Sequence, residues 1–114
     1  MENLIQQTKK LNHDIQNGLT YLETARSAEV ESVERKLHGQ IDMVFGNCDR
    51  LDILVRKEPP NRREQAKLTV DQLKYDCNHL KSAMDNMLRR RYVLSHCHDC
   101  VLLVLVLLSL LIHS

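Results

Sequence analysis

Residues 96–100 read His-Cys-His-Asp-Cys, the one run in this chain of 114 residues that concentrates metal-ligating and nucleophilic side chains. Cys97 and Cys100 stand at the C-x-x-C spacing of half a structural zinc site. Zinc of that kind needs four ligands in a tetrahedron, and no second C-x-x-C or H-x-x-x-H pair lies elsewhere in the chain. Recruiting His96 or His98 would close so tight a loop that the geometry strains. S-acylation of Cys97 or Cys100, beside an apolar segment, ranks above zinc, and unmodified thiols rank above both. Cys48 and Cys77 fall instead on apolar stripes, where a free cysteine behaves as a small hydrophobe. The N-terminus, MENLIQQTKKLNHD, carries no apolar signal region, so four cysteines do not imply a disulfide framework. The expected setting is the reducing cytosol. No nucleophile–base pairing, glycine-rich phosphate loop or paired catalytic carboxylates can be placed, so no enzyme, cofactor, metal or small-molecule substrate is expected. Met84 and Met87 read as core filler. A formal charge of +1 gives no electrostatic case for nucleic acid.

Directly after the cysteine cluster comes an apolar run: Val101, Leu102, Leu103, Val104, Leu105, Val106, Leu107, Leu108, Leu110, Leu111 and Ile112, interrupted only by Ser109. Arg89, Arg90 and Arg91 precede it, the flank expected on the cytoplasmic side of a tail anchor. As a helix, Val101–Ile112 covers about 18 Å, short of the roughly 30 Å hydrocarbon core. Extending the span back to Tyr92 would draw Asp99 inward, at about 2.5–3.5 kcal/mol near the bilayer centre. The reading carried forward is a transmembrane or membrane-anchoring tail over 92–114. Its rivals are a helix folded back on the rest of the chain and an out-of-frame or retained-intron tail.

The segments that must position these groups are amphipathic helices. From Glu58 to Arg91, the residues Ala66, Val70, Leu73, Cys77, Leu80, Met84 and Met87 alternate steps of four and three, one stripe of a helix. The opposite stripe, Lys67, Asp71, Lys74, Asn78, Lys81, Asp85, alternates in charge as a solvated face does. Pro59 and Pro60 stop whatever precedes and suit a first turn, with Glu58 or Asn61 as cap and Glu64 at a capping-box spacing from Asn61. Arg62, Arg63 and Lys67, with Arg56 and Lys57, make a basic end, read as a solvated turn ahead of an anionic-lipid contact.

A first helix over 3–24 carries Leu4, Thr8, Leu11, Ile15, Gly18 and Leu22, with Ile5 and Leu19 beside them. Gly18 costs about 1 kcal/mol against alanine mid-helix, yet the stripe continues past it, so the helix is expected to continue too. Ser27 is the expected N-cap of a second helix, 28–57, whose stripe is Val30, Val33, Leu37, Ile41, Val44, Cys48, Leu51 and Val55, joined by Phe45 and Leu54. The third helix spans 59–91. Short connections between three such helices predict an all-α, antiparallel up-down-up three-helix bundle over 1–91, followed by a hydrophobic C-terminal helix. Its expected core is Leu11, Ile15, Leu22, Val33, Leu37, Ile41, Val44, Leu51, Val70, Leu73, Leu80 and Met84.

ETARSAEVE, then ILVRKEPPNRREQAKLTVDQLKYDCNHLKSAMDNMLRRR, resembles the N-terminal region of the membrin family of Golgi SNAP receptors, Qb-type SNARE proteins. The KEPPN run followed by VDQLKYD is its most specific part, and Gln6-Gln7-Thr8 fits as well. The resemblance covers roughly residues 1–91. It implies an Habc-type three-helix domain, the cytosolic face of Golgi or ER-derived membranes, and a role in ER–Golgi vesicle docking and fusion. It also implies other SNARE-family proteins and trafficking factors as partners. Such a protein carries a further heptad segment that zippers with partner helices. Here the sequence turns from Arg91 to the apolar tail, so a shortened form without that segment is expected. The rival is a generic helical scaffold or adaptor, which would have no need of the exposed Asp, Gln and Lys choices in VDQLKYD.

Overall fold

The computed structural model describes the backbone of residues 1–113 and the side chains of 1–92 and 101–113. It is all-helical: α1 spans Glu2–Thr24, α2 Ser27–Arg56 and α3 Pro60–His113. The chain divides into two compact units, Met1–Ala83 and Met84–Ser114, so α3 contributes to both.

The first junction uses no glycine. Ala25 (φ −65°, ψ 146°) and Arg26 (φ −67°, ψ 147°) are both extended, and this pair separates α1 from α2. Arg26, not Ser27, occupies the N-cap position, and its side chain makes no capping bond. Ser27 is the first helical residue. Across this junction the Tyr21 hydroxyl donates to the Glu29 carboxylate, and that hydrogen bond, helped by the carboxylate's charge, raises the pKa of the phenol above its ordinary value.

The second junction is made by proline chemistry. Lys57 and Glu58 donate their backbone N–H groups to Leu54 and Val55, tightening the last turn of α2. Pro59, which has no N–H, takes the cap position, and its carbonyl accepts from the N–H groups of Arg62 and Arg63. Pro60 is then the first residue of α3, where its missing donor costs nothing. Neither Glu58 nor Asn61 stands at the cap. Glu58 instead offers its carbonyl to the Arg63 guanidinium at 3.0 Å. The third helix does not stop at Arg91, because no glycine or proline follows to stop it.

The first unit buries one stripe from each helix. In α2 these are Leu37, Ile41, Val44, Cys48, Leu51 and Val55, and in α3 Ala66, Val70, Leu73, Cys77 and Leu80. In α1 the buried set is Ile5, Thr8, Asn12, Ile15, Leu19 and Leu22. Leu4, Leu11 and Gly18, one position earlier in each heptad, are only half-buried. Val33 is likewise half-buried. Between α2 and α3, Lys74 Nζ lies 2.6 Å from Asp52 Oδ2. That hydrogen bond is the main cause of the raised Lys74 pKa.

The glycine of α1 marks a close approach. A Cβ at Gly18 would sit 2.5 Å from Leu37 Cδ2, and Leu37 is itself buried. At Gly39 and Gly46 of α2 a Cβ would meet nothing within 4 Å. These sites should therefore respond with opposite sign. Gly39→Ala and Gly46→Ala should each raise stability by about 0.5–1 kcal/mol through helix propensity. Gly18→Val should lower it by about 1–3 kcal/mol through overpacking against Leu37. Urea midpoints of the three variants would show the split, and a stabilised Gly18→Val would contradict the packing.

Candidate interaction surfaces

What the described residues offer to a ligand or partner are helix faces and the seams between them. Three open grooves follow the helix seams of the first unit. Between α1 and α2, a groove of about 540 Å³ is lined by Asp14, Asn17, Gly18, Tyr21, Val33, Lys36, Leu37 and Gln40. The missing side chain of Gly18 helps to shape it. Two further grooves border the α1–α3 seam. One, of about 430 Å³, is lined by Lys9, Gln65, Leu68, Thr69, Gln72, Leu73 and Asp76. The other, of about 320 Å³, is lined by Asn12, His13, Gln16, Tyr75, Asp76, His79 and Leu80.

The last of these has the most differentiated chemistry. Asn12 is 9% exposed, and its Nδ2 donates to the Leu73 carbonyl at 3.3 Å, tying α1 to α3. Its Oδ1 is buried with no hydrogen-bond partner. On the wall, the Tyr75 and His79 rings stack nearly parallel, 9° apart with centroids 6.5 Å apart. Asp76 accepts a hydrogen bond from Gln72 Nε2 at 2.8 Å. Sequence reasoning passed over Asn12 because a polar residue does not register in an apolar stripe. Its spacing from Thr8 and Ile15, four and three, was the available signal.

Of the residues expected to form the core, Ile15, Leu22, Leu37, Ile41, Val44, Leu51, Val70, Leu73, Leu80 and Met84 are buried, while Leu11 and Val33 are half-buried. The α2–α3 seam also holds the free thiols of Cys48 and Cys77, both fully buried. Burial pushes Cys77 up to about 11, with Cys48 adding to the rise. Burial likewise raises Cys48, against the pull of the Lys74 cation. Neither thiol is a nucleophile at neutral pH.

In the second unit, Val101–Ile112 is helical and its large apolar side chains are exposed throughout, from Leu102 at 47% to Ile112 at 81%. Arg89 and Arg90 are exposed and Arg91 is half-buried. The expectation of a transmembrane span finds no support: among the described residues, no helix is long and apolar enough to cross a membrane. At about 18 Å the apolar run covers roughly three fifths of the hydrocarbon core, and the polar residues 95–100 interrupt its extension. The His96, Cys97, His98, Asp99 and Cys100 cluster, read for zinc or acylation, lies outside the described side chains. Among the described residues, no group of three or more His, Cys, Asp or Glu could hold a metal ion.

Comparison with known proteins gives these faces a context. A family described as BOS1/GOSR2/MEM11, N-terminal domain, matches residues 1–96. The chain is 47% identical over 93 residues to Golgi SNAP receptor complex member 2 of Mus musculus, covering 82% of this chain and 44% of that protein. It is 40% identical over 91 residues to the probable Golgi SNAP receptor complex member 2 of Drosophila melanogaster, covering 80% and 42%. It is 35% identical over 85 residues to the homolog memb-1 of Caenorhabditis elegans, covering 74% and 40%. The chain thus spans less than half the length of the curated relatives it matches. No solved structure matches it significantly.

Proposed function

We propose, because this chain belongs to the family of BOS1/GOSR2/MEM11 N-terminal domains, that it acts in SNARE-dependent vesicle traffic between ER and Golgi as a helical protein-interaction domain. The carrying observation is the family match over residues 1–96, which is also the stretch that holds the grooved first unit. The work is done by contact between helix faces, without a chemical step. Its partners are other SNARE-family proteins and trafficking factors, met on the cytosolic face of Golgi membranes.

Four contacts support an antiparallel up-down-up arrangement of the helices for this role. Tyr21 meets Glu29 beside the first junction, and Gly18 faces Leu37 further from it. Asp52 meets Lys74 across the second junction, and Asn12 reaches Leu73 to close the third seam. At the first junction the residue further before the turn meets the residue further after it, as antiparallel neighbours do.

The tail supplies attachment. An all-apolar exposed helix face is not left in water without cost, and Arg89, Arg90 and Arg91 favour anionic headgroups by about 1 kcal/mol each. A shallow insertion of Val101–Ile112 fits both the length and the flank. Flotation of the full chain with vesicles containing phosphatidylserine should carry it to the lipid fraction, and a chain ending at Arg91 should stay behind. Equal behaviour of the two would remove the tail from the proposal.

Complexes isolated from cells expressing the full chain test the trafficking reading. SNARE-family proteins of the ER–Golgi route should be enriched several-fold over an unrelated helical bundle. Recovery with no trafficking protein would hand the case to the generic scaffold.

A further inference from the structure

We infer that the groove between α1 and α3, floored by Asn12, is a receptor for an arginine side chain presented by a partner protein. It gives chemistry to the partner contact proposed above, and it rests on four features of one small site.

The floor is an acceptor without a donor. Asn12 Nδ2 is committed to the Leu73 carbonyl at 3.3 Å, which fixes the amide so that Oδ1 is the free end, buried and unpaired. Leaving a buried acceptor unsatisfied destabilises the fold, and a leucine would fill the same place in the heptad without that cost. The wall is flat: Tyr75 and His79 stack within 9° of parallel, and Tyr75 as a residue is 67% exposed. The rim is negative. Asp76 is the only formally charged residue lining the groove; it takes one hydrogen bond from Gln72 and, among the described residues, forms no ion pair. Its second oxygen keeps its lone pairs. The last feature is adaptability, since His13 and Gln16 beside Asn12 are exposed side chains that turn about single bonds. Oδ1 has no solvent access at rest, so an entering donor reaches it only by turning such a neighbour aside.

Buried acceptor, flat aromatic face and uncompensated carboxylate together select one common side chain. A guanidinium is planar, always charged, and carries five donors in a fixed fork. It stacks on aromatic faces and pairs with carboxylates at once. An ammonium satisfies the charge but not the plane, and a neutral urea satisfies the plane but not the charge.

The test is a titration of the full chain, isotopically labelled and held in a zwitterionic detergent micelle, followed by amide chemical shifts. N-acetyl-arginine amide should give saturating shifts confined to residues around Asn12, Tyr75, Asp76 and His79. N-acetyl-lysine amide and N-acetyl-citrulline amide should each bind about tenfold more weakly. Asn12→Leu should abolish saturation while its melting temperature stays level or rises, which separates lost recognition from lost folding. Asp76→Asn should weaken binding about tenfold and leave the melting temperature unchanged. Three outcomes would overturn the inference: shifts that grow without saturating, lysine binding as well as arginine, or arginine binding unaltered by Asn12→Leu. A buried water found on Oδ1 with no saturating shift would overturn it as well. Because the titration uses the purified chain alone, its failure leaves the trafficking reading standing, and the isolation experiment can fail independently of it.

Discussion

Leu51→Ala should remove about 3 kcal/mol from the unfolding free energy, whereas Ile53→Ala, two positions along the same helix, should change it by under about 0.5 kcal/mol. Leu51 has no exposed surface and sits in the buried α2 stripe between Cys48 and Val55, while Ile53 is 52% exposed. Deleting the Leu51 methyls loses their transfer energy and leaves a cavity that helix backbones close only partly. A domain of this size holds roughly 5–10 kcal/mol in all, so one truncation takes a large share. Urea unfolding read by circular dichroism would resolve the two variants easily. Equal midpoints would mean that α2 does not present the stripe seen here.

The second large effect is alkaline. Burial raises the folded pKa of Cys77 from 9.0 to about 11. The folded chain therefore keeps a proton that the unfolded chain gives up, and stability falls with rising pH wherever the unfolded state binds fewer protons. The contribution is fully present below pH 9 and drains away between 9 and about 11. A rise of that size is worth about 2–3 kcal/mol of folding free energy. The Lys74 pKa, raised by Asp52, adds a loss of the same sign at the upper end of that window. Cys77→Ala isolates the thiol: its midpoint should begin lower at pH 8 but fall less between 9 and 11 than that of the parent under reducing conditions. Parallel curves would show that Cys77 ionises as freely as in the unfolded chain.

Much of this molecule is legible in its residues, for identifiable reasons. The all-helical class follows from stripes at helical spacing with scarce glycine and proline. The family follows from KEPPN and VDQLKYD, whose surface choices packing does not demand. In α1 the period is plain, but the direction the face points is not. Thr8, Ile15 and Leu22 lie on its midline, flanked on one side by Leu4, Leu11 and Gly18 and on the other by Ile5, Asn12 and Leu19. Each flank carries two apolar residues and one misfit, so hydrophobicity alone favours neither. Tertiary contact decides it: Gly18 is needed at the approach of Leu37, and Asn12 is drawn inward by the Leu73 carbonyl. The helix starts differ from expectation by one residue for a related reason. Ser27 and Asn61 have capping side chains, yet the chain turns on the extended Arg26 and on Pro59. The length of α3 is hidden too, since a change from charged to apolar composition looks like a boundary and the backbone registers none.

The Asn12–Leu73 bond joins residues 61 positions apart, while the other seams join residues near a turn. Closing so wide a loop is entropically the slowest of the associations. On loop-closure grounds the two helical hairpins should form from neighbours first, and the first and third helices should meet afterwards. Native-state opening should run the same order backwards, so the edge proposed to dock a partner should also be the edge that frays first. Whatever settles there would act as a clasp, holding together the part of the chain that parts most readily.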